Sequence, residues 1–417
     1  MKDAFRELLQ LIRADDCDVD ALCRGAEYFS IPKESIRNAA AQLPFHHDLR
    51  YQGMRMLLAA CVREFEMLFS EDARKQCEVT VPAPPFMLYA LQNASGNIRF
   101  ATGAFFAQIM LRGILLNREP LDFTGCSMRH CGLNRMRLEL LRRPPIRPWD
   151  CQLQFGVLCS ECVKTGECGP EETACFSVPF PEEQRKSRAA VEHYYHSLCD
   201  RLHICPDCED IRGAFGLYGR MVKAENRILA LCSRKDRIPL FGNSLSLVQS
   251  VQLLITDRME DFIIALELLA EELEDAPKTE RQKRYYCYYI PFLQPGIDQR
   301  FRENGVTLTG NAAFLQTDRY MGLDLPGMTE AWLDNMANRA SPEKQCAAIA
   351  RAMADMDCEA YLTGFFSFDR RLGAVVPLQR KLLKEKYGIQ TLLLDTDFWC
   401  ENAMSGSPEN RIDQLSG

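Results

Sequence analysis

No apolar run in this sequence reaches the roughly 20 residues that a membrane-spanning helix needs; the longest are broken by Gln108, Arg112 and Glu267. There is no G-x-G-x-x-G behind a strand-like run and no G-x-x-x-x-G-K-[ST], which excludes a Rossmann dinucleotide fingerprint and a P-loop. The G-x-S-x-G elbow is missing too, so acyl and glycosyl hydrolysis have no nucleophile motif to rest on. Histidine is scarce, six in all. His46 and His47 lie in a loop-like stretch before Asp48, and His193 and His196 on a Tyr-rich helical stretch; neither pair has the i, i+4 spacing of a helical metal site, and both read as structural. No period of roughly 20 to 50 residues repeats, which argues against a solenoid. Basic charge is not in excess: 50 Lys and Arg against 57 Asp and Glu give a net charge of −7, a sign that disfavours nucleic acid. The first residues keep a helical period through Phe5, Leu8, Leu9 and Ile12 and lack an apolar targeting core or cleavage site. These absences point to a cytoplasmic protein with neither a membrane nor a nucleic acid as partner.

What the sequence has is cysteine. Nineteen occur among 417 residues, heavy for a long chain yet below the roughly 8–10% of a disulfide-stapled secreted domain. In a reducing compartment such cysteines are metal ligands, redox groups or packing residues rather than disulfides. The rest of the composition, 47% hydrophobic and 26% charged, is that of a globular chain, and at ~150 residues per domain its length suits two or three domains. One segment runs against the acidic balance: Arg135, Arg137, Arg142, Arg143 and Arg147 fall close together, as a solvated face or a docking site for a phosphate group or protein.

The pattern predicts an α/β protein with a helical N-terminal region. Residues 1–80 read as helical, with the apolar period clearest from Met54 to Phe69, up to the Pro-rich VPAPPF at 81–86. A first α/β domain is predicted over 81–235, with FMLYALQ, GILL, CQLQFGVL and FSVPF as short apolar runs and two long helices between Glu183 and Ser233 closing it. A second, 236–417, opens with two helical segments and has YYCYYIPFL, VTLTG, CEAYLTGFF and IQTLLLDTD as strands, with helices at about 295–304, 342–355 and 376–387. Both sheets are expected to be mostly parallel.

Ten of the nineteen cysteines fall between Cys126 and Cys208. Cys159 directly follows a strand-like run, and SECVKTG reads as the opening of a helix. A thiolate there meets unpaired helix N–H groups that favour its anion, at the carboxyl end of a strand, where open α/β sheets gather ligands. Cys162 shares its helix face, and Cys151 and Cys168 flank the pair. A second C-x-x-C lies at Cys205 and Cys208 with His203 near it; the 42 residues separating it from Cys162 exceed a compact zinc module. Cys61, Cys77, Cys232, Cys346 and Cys358 read as small core residues. Asp395 and Asp397, closing QTLLLDTD, are the most site-like acids of the second unit and equally serve as caps.

These elements, in this order, resemble the 2-hydroxyacyl-CoA dehydratase family of the D-component type, which also includes benzoyl-CoA reductase subunits and double-cubane-cluster proteins. The similarity runs from about residue 85 to 417, through Cys126, Cys159, the helical pair ending in ENRILALC, GIQTLLLDTDFW and SPENRIDQL. It implies two α/β domains facing an interdomain cleft, with a [4Fe–4S] cluster there on three cysteines. Cys126 and Cys159, 33 residues apart with Asp150 and a hydrophobic run ahead of the second, match two of the ligands. The third position falls in YLTGFFSFDRR, Tyr361 to Arg371, which holds no cysteine. Cys162, Cys131 and Ser367 are the candidates, with Asp369, Cys358 and Cys400 beside them. The resemblance further implies radical dehydration or reduction of an acyl-CoA thioester, anaerobically, in a heterodimer with a homologous second subunit. A separate ATP-dependent activator would supply the electron that forms a ketyl radical, in keeping with the missing P-loop. Two other readings stand beside it. One is a cluster-less paralogue serving as a partner or scaffold subunit; the other is a cysteine-ligated zinc or redox protein using Cys159, Cys162, Cys205 and Cys208.

Overall fold

The structure is a computed structural model that describes residues 1–29, 31–71, 75–80, 85–101, 151–157, 173–178, 184–234, 236, 240–254, 256–277, 282–288, 297–311, 341–363, 370–394 and 412. The chain opens with four helices, α1 (Lys2–Ile12), α2 (Val19–Tyr28), α3 (Lys33–His46) and α4 (Gln52–Leu68). Helix α1 buries Phe5, Leu8, Leu9 and Ile12 on one stripe and ends at Arg13 in the left-handed conformation (φ 56°), which turns the chain without a glycine at some steric cost. The Asp18 carboxylate accepts the Asp20 amide and starts α2.

Two four-stranded parallel sheets follow. The first is ordered β2-β1-β3-β4, from β1 (Lys75–Thr80), β2 (Ile98–Ala101), β3 (Cys151–Val157) and β4 (Thr173–Val178). The second is ordered β6-β5-β7-β8, from β5 (Lys283–Cys287), β6 (Val306–Asn311), β7 (Ala360–Thr363) and β8 (Gln390–Leu393). The helices among them are α5 (Pro85–Ala94), α6 (Gln184–Leu202), α7 (Cys208–Cys232), α8 (Gly242–Ser250), α9 (Met259–Glu274), α10 (Ile297–Glu303), α11 (Pro342–Asp355) and α12 (Arg370–Tyr387). The protein is thus broadly α/β, more helical than stranded, and none of its described helices is long and apolar enough to cross a membrane.

Most strand and helix expectations coincide with these elements, the two long helices α6 and α7 included. Three differ. Residues 75–80, expected to continue the helical region, form β1, a central strand. Its KQCEVT is six residues of mixed polarity, too short for its period to outweigh the helical pattern beside it. FMLYALQ, expected as a strand-like run, lies in α5; Leu88, Tyr89, Ala90 and Leu91 are all buried, and four successive buried residues go round a full turn and leave no polar face there to betray the helical period. Helix α12 begins at Arg370 rather than near 376.

The largest core joins α1–α4, α5, α6–α9 and residues of β1, β2 and β3. Helices α4 and α9 meet closely at Gly53, where an added Cβ would lie 2.4 Å from the Leu269 amide nitrogen. The second sheet has separate cores on its two faces. Tyr285, Cys287, Ala360 and Leu362 point to the face holding Ile297 and Phe301, and Tyr286 and Tyr361 to the face holding Cys346, Ile349 and Met353 of α11 and Leu383 of α12, as the two-residue strand period requires. Full burial of a side chain such as Phe301 contributes about 2–3 kcal/mol.

Arg284 of β5 and Arg302 of α10 tie this sheet to the helices. The buried Arg284 guanidinium donates to the carbonyls of Cys232 (3.1 Å), Ser233 (3.3 Å) and Arg234 (2.6 Å) at the end of α7, and to Met356 (3.2 Å). A cation there also meets the negative end of the α7 dipole. Arg302 donates to the Phe45 carbonyl (2.7 Å) and stacks 3.7 Å over the Phe241 ring.

Candidate functional site

In each sheet the chain runs from its first strand outward to the second and then crosses to the other side. The strand order therefore reverses between β1 and β3, and between β5 and β7. At such switch points the carboxyl ends of the strands open a crevice that ligands use. Strand β3 ends at Val157, so in the sequence Cys159 comes two residues after the carboxyl end of a switch-point strand. Ser367 comes four residues after Thr363, the last residue of β7, which is the counterpart of β3 in the second sheet. The side chains of Cys126, Cys131, Cys159, Cys162 and Ser367 lie outside the described residues, as do those of Cys151, Cys168, Asp369, Asp395, Asp397, Cys400 and the arginines between Arg135 and Arg147. Among the described residues, no group of three or more His, Cys, Asp or Glu is placed to hold a metal ion.

The described carboxyl edge belongs to β5, β6 and β7. Its cysteine, Cys287, is fully buried and donates to the Gly310 carbonyl at 2.8 Å. Burial pushes that thiol well above its ordinary value, which keeps it neutral and makes it a packing residue rather than a ligand. Gly310 is the extra residue of a bulge in β6: Tyr286 pairs with Thr309 and Cys287 with Asn311. Its φ is +66°, and a Cβ would come within 2.2 Å of the Tyr286 ring, so both backbone and space demand glycine. Tyr286 stacks on Tyr361, centroids 6.4 Å apart. Burial raises both phenols, which are neutral core residues packed against α11 and α12.

Of the buried carboxyls among the described residues that escaped the sequence reading, Glu64 and Asp298 are the two whose ionisation is clearly shifted. Glu64 of α4 is pushed up to about 8 by burial, against the hydrogen bond that Thr256 Oγ1 donates to it and the attraction of Arg99 on β2. Arg99 is itself buried and lies 3.5 Å from Asp257. Asp298 of α10 is pushed up only to about 6. Burial is again the largest cause, but Arg302 and the backbone amides of Gly242 and Asn243 opening α8 pull the other way. The signal for Glu64 was present: it follows Leu57 by seven residues and Ala60 by four, on the buried stripe of its helix. Asp298 had none, because α8 reaches it from more than fifty residues away in the chain.

The remaining cysteines and histidines sort by burial. Cys61, Cys232 and Cys346 are buried free thiols, as expected of core residues, and Cys358 is partly buried and paired with Thr309 Oγ1 at 3.0 Å. Cys77 is buried but disulfide-bonded, which corrects the expectation that the thiols are reduced throughout. His46 and His47 are buried, and His46 ends α3 rather than lying in a loop; its Nδ1 accepts from Asn243 Nδ2 at 2.9 Å. His193 and His196 are exposed on α6. Cys205 and Cys208 are exposed, free, and flank the start of α7.

The family model described as 2-hydroxyglutaryl-CoA dehydratase, D-component, matches residues 113–415. That span takes in Cys126, Cys159, β3 and the whole second sheet, and leaves out α1–α5, β1 and β2. No curated protein matches the chain.

Proposed function

Because the chain belongs to the 2-hydroxyglutaryl-CoA dehydratase D-component family, we propose that it is an iron–sulfur subunit of a 2-hydroxyacyl-CoA dehydratase or of a related acyl-CoA reductase. The observation that carries this beyond the family is the place of Cys159, two residues after switch-point strand β3. Cys126 and Cys159 would hold a [4Fe–4S] cluster, with Cys162, Cys131 or Ser367 completing the set. Of these, Ser367 follows β7, so a site that uses it lies in a cleft between two α/β domains. Cysteine thiolates suit iron, and a serine oxygen in the third place makes a more open, labile iron. When bound, such a cluster supplies single electrons to a thioester carbonyl. The chain's own part is to bind the acyl-CoA beside it, orient the thioester and keep water and oxygen out. A homologous second subunit and a separate ATP-dependent activator complete the machine in the cytoplasm.

The test is anaerobic purification with iron and sulfide analysis and an absorbance spectrum. About four irons with a broad charge-transfer band, lost in Cys159→Ala, are expected. A colourless, iron-free protein after anaerobic reconstitution overturns the iron–sulfur reading. It would favour a second reading, a cluster-less partner subunit of the same complex, which the absence of cysteine from Tyr361 to Arg371 supports.

A further inference from the structure

The turn between α6 and α7 concentrates thiols that the proposed chemistry does not use. Cysteine is among the residue types most often buried, yet Cys205 and Cys208 are both exposed and free, and Cys199 is free and half-buried. The C-x-x-C spacing suggests that Cys205 and Cys208 are partners, but the backbone separates them. Asp207, between them, is extended (φ −92°, ψ −177°) and caps α7: its carboxylate accepts the amides of Glu209 (2.7 Å) and Asp210 (2.9 Å), while the Asp210 carboxylate accepts the Asp207 amide (2.9 Å). Closing Cys205 onto Cys208 would dismantle this reciprocal cap, worth about 1 kcal/mol or more.

The end of α6 does the opposite. His203 takes the left-handed conformation (φ 55°), its amide donates to the Asp200 carbonyl (3.4 Å), and the Ile204 amide donates back to the Cys199 carbonyl (3.0 Å). This is a helix stop of the Schellman kind, and it folds the chain over the last turn of α6. Cys205, the next residue, comes back towards Cys199. The Cys199 thiol is raised chiefly by burial, is bonded to the Tyr195 hydroxyl, which pulls it down, and is raised further by Cys205.

We propose that this turn is a thiol–disulfide exchange site in which exposed Cys205 reacts with a low-molecular-weight disulfide and half-buried Cys199 resolves it. The Cys205 thiolate attacks one sulfur of the external disulfide, forming a mixed disulfide and expelling one thiolate. The Cys199 thiolate then attacks the Cys205 sulfur and expels the second. The two protein thiol protons end, by way of water, on the two released thiolates, so two protein thiols become one disulfide as one external disulfide becomes two thiols. Cys208, held on the far side of the α7 cap, stays reduced.

The full chain, prepared anaerobically, is equilibrated with glutathione and glutathione disulfide at graded ratios, alkylated, and mapped by peptide mass. The expected product is a Cys199–Cys205 linkage that appears as the disulfide fraction rises and reverses with dithiothreitol, with Cys208 alkylated throughout. Cys205→Ser abolishes the linkage, Cys208→Ser leaves it unchanged, and Cys199→Ser leaves a persistent glutathione adduct on Cys205. A Cys205–Cys208 linkage, a lasting glutathione adduct on Cys205 of the unaltered chain, or no reaction at Cys205 overturns the proposal. Iron content takes no part in the readout, so the outcome is independent of the function proposed above.

Discussion

The two parallel sheets share one strand order, yet they are sealed differently. The first merges with the helices into a single large core through Cys77, Phe100 and Leu153, and its switch-point strand β3 leads towards Cys159. The second stands between two small cores of its own, and at its carboxyl edge the cysteine is turned inward onto Gly310. One topology therefore offers two kinds of switch point. Under the proposed function, the thiol carried past the strand end is the ligand, while Cys287, inside the last residues of β5, is packing.

The sharpest way to break that contrast is to remove one thiol from each sheet. Cys159→Ala is expected to strip the iron from anaerobically prepared protein and abolish activity with an acyl-CoA substrate. Cys287→Ala is expected to keep the iron and lower stability to denaturant by about 1–2 kcal/mol. If iron survives the first change and disappears in the second, the roles of the two edges are reversed.

A smaller effect separates two glycines of the second unit. Gly310→Ala forces a side chain into the Tyr286 ring at a positive φ and is expected to cost roughly 3 kcal/mol or more. Gly305 also has a positive φ, +73°, but nothing within 4 Å of an added Cβ, so Gly305→Ala is expected to cost about 1 kcal/mol. Equal losses in urea unfolding would mean that the bulge does not grip Tyr286.

The buried acids extend the comparison to pH. Glu64, facing Arg99 of the first sheet, titrates near 8 against an ordinary 4.5, and Asp298, beside the second, near 6 against 3.8. In each case the folded state keeps a proton that the unfolded state has released. Stability is therefore greatest below the ordinary value and falls as pH rises through the folded one, by at most about 1.4 kcal/mol per pH unit for each group. Glu64→Gln is expected to flatten the stability–pH profile between about 4.5 and 8, and Asp298→Asn to flatten it over the shorter span from 3.8 to about 6. A profile unchanged by Glu64→Gln would mean that the carboxyl is solvated.

Much of this was legible in the chain. FSVPF and VTLTG announced β4 and β6, the helical period announced α6 and α7 almost to the residue, and the run ahead of Cys159 announced β3. Each is a local pattern of apolar residues at the period of its element. KQCEVT was not legible as a strand, because a central strand is made by its neighbours: β1 pairs with β2 through Lys75–Ile98 and with β3 through Cys77–Cys151. The proposed pairing of Cys205 was not legible for a similar reason. Spacing favours Cys208, while the helix stop that bonds Ile204 back to Cys199 and the cap at Asp207 are what the proposed Cys199–Cys205 pair rests on.

The sequence by itself determined most of the elements and the family, because hydrophobic period, turn residues and the cysteines at Cys126 and Cys159 are properties of short stretches. Only the tertiary structure decided what the isolated groups became. It made Cys287 an inert thiol, set Glu64 and Asp298 about two units apart, and made Arg284 the clamp on the end of α7. Burial and the amides, carbonyls and guanidinium groups around a side chain set its charge, and these are brought together from segments far apart in the chain.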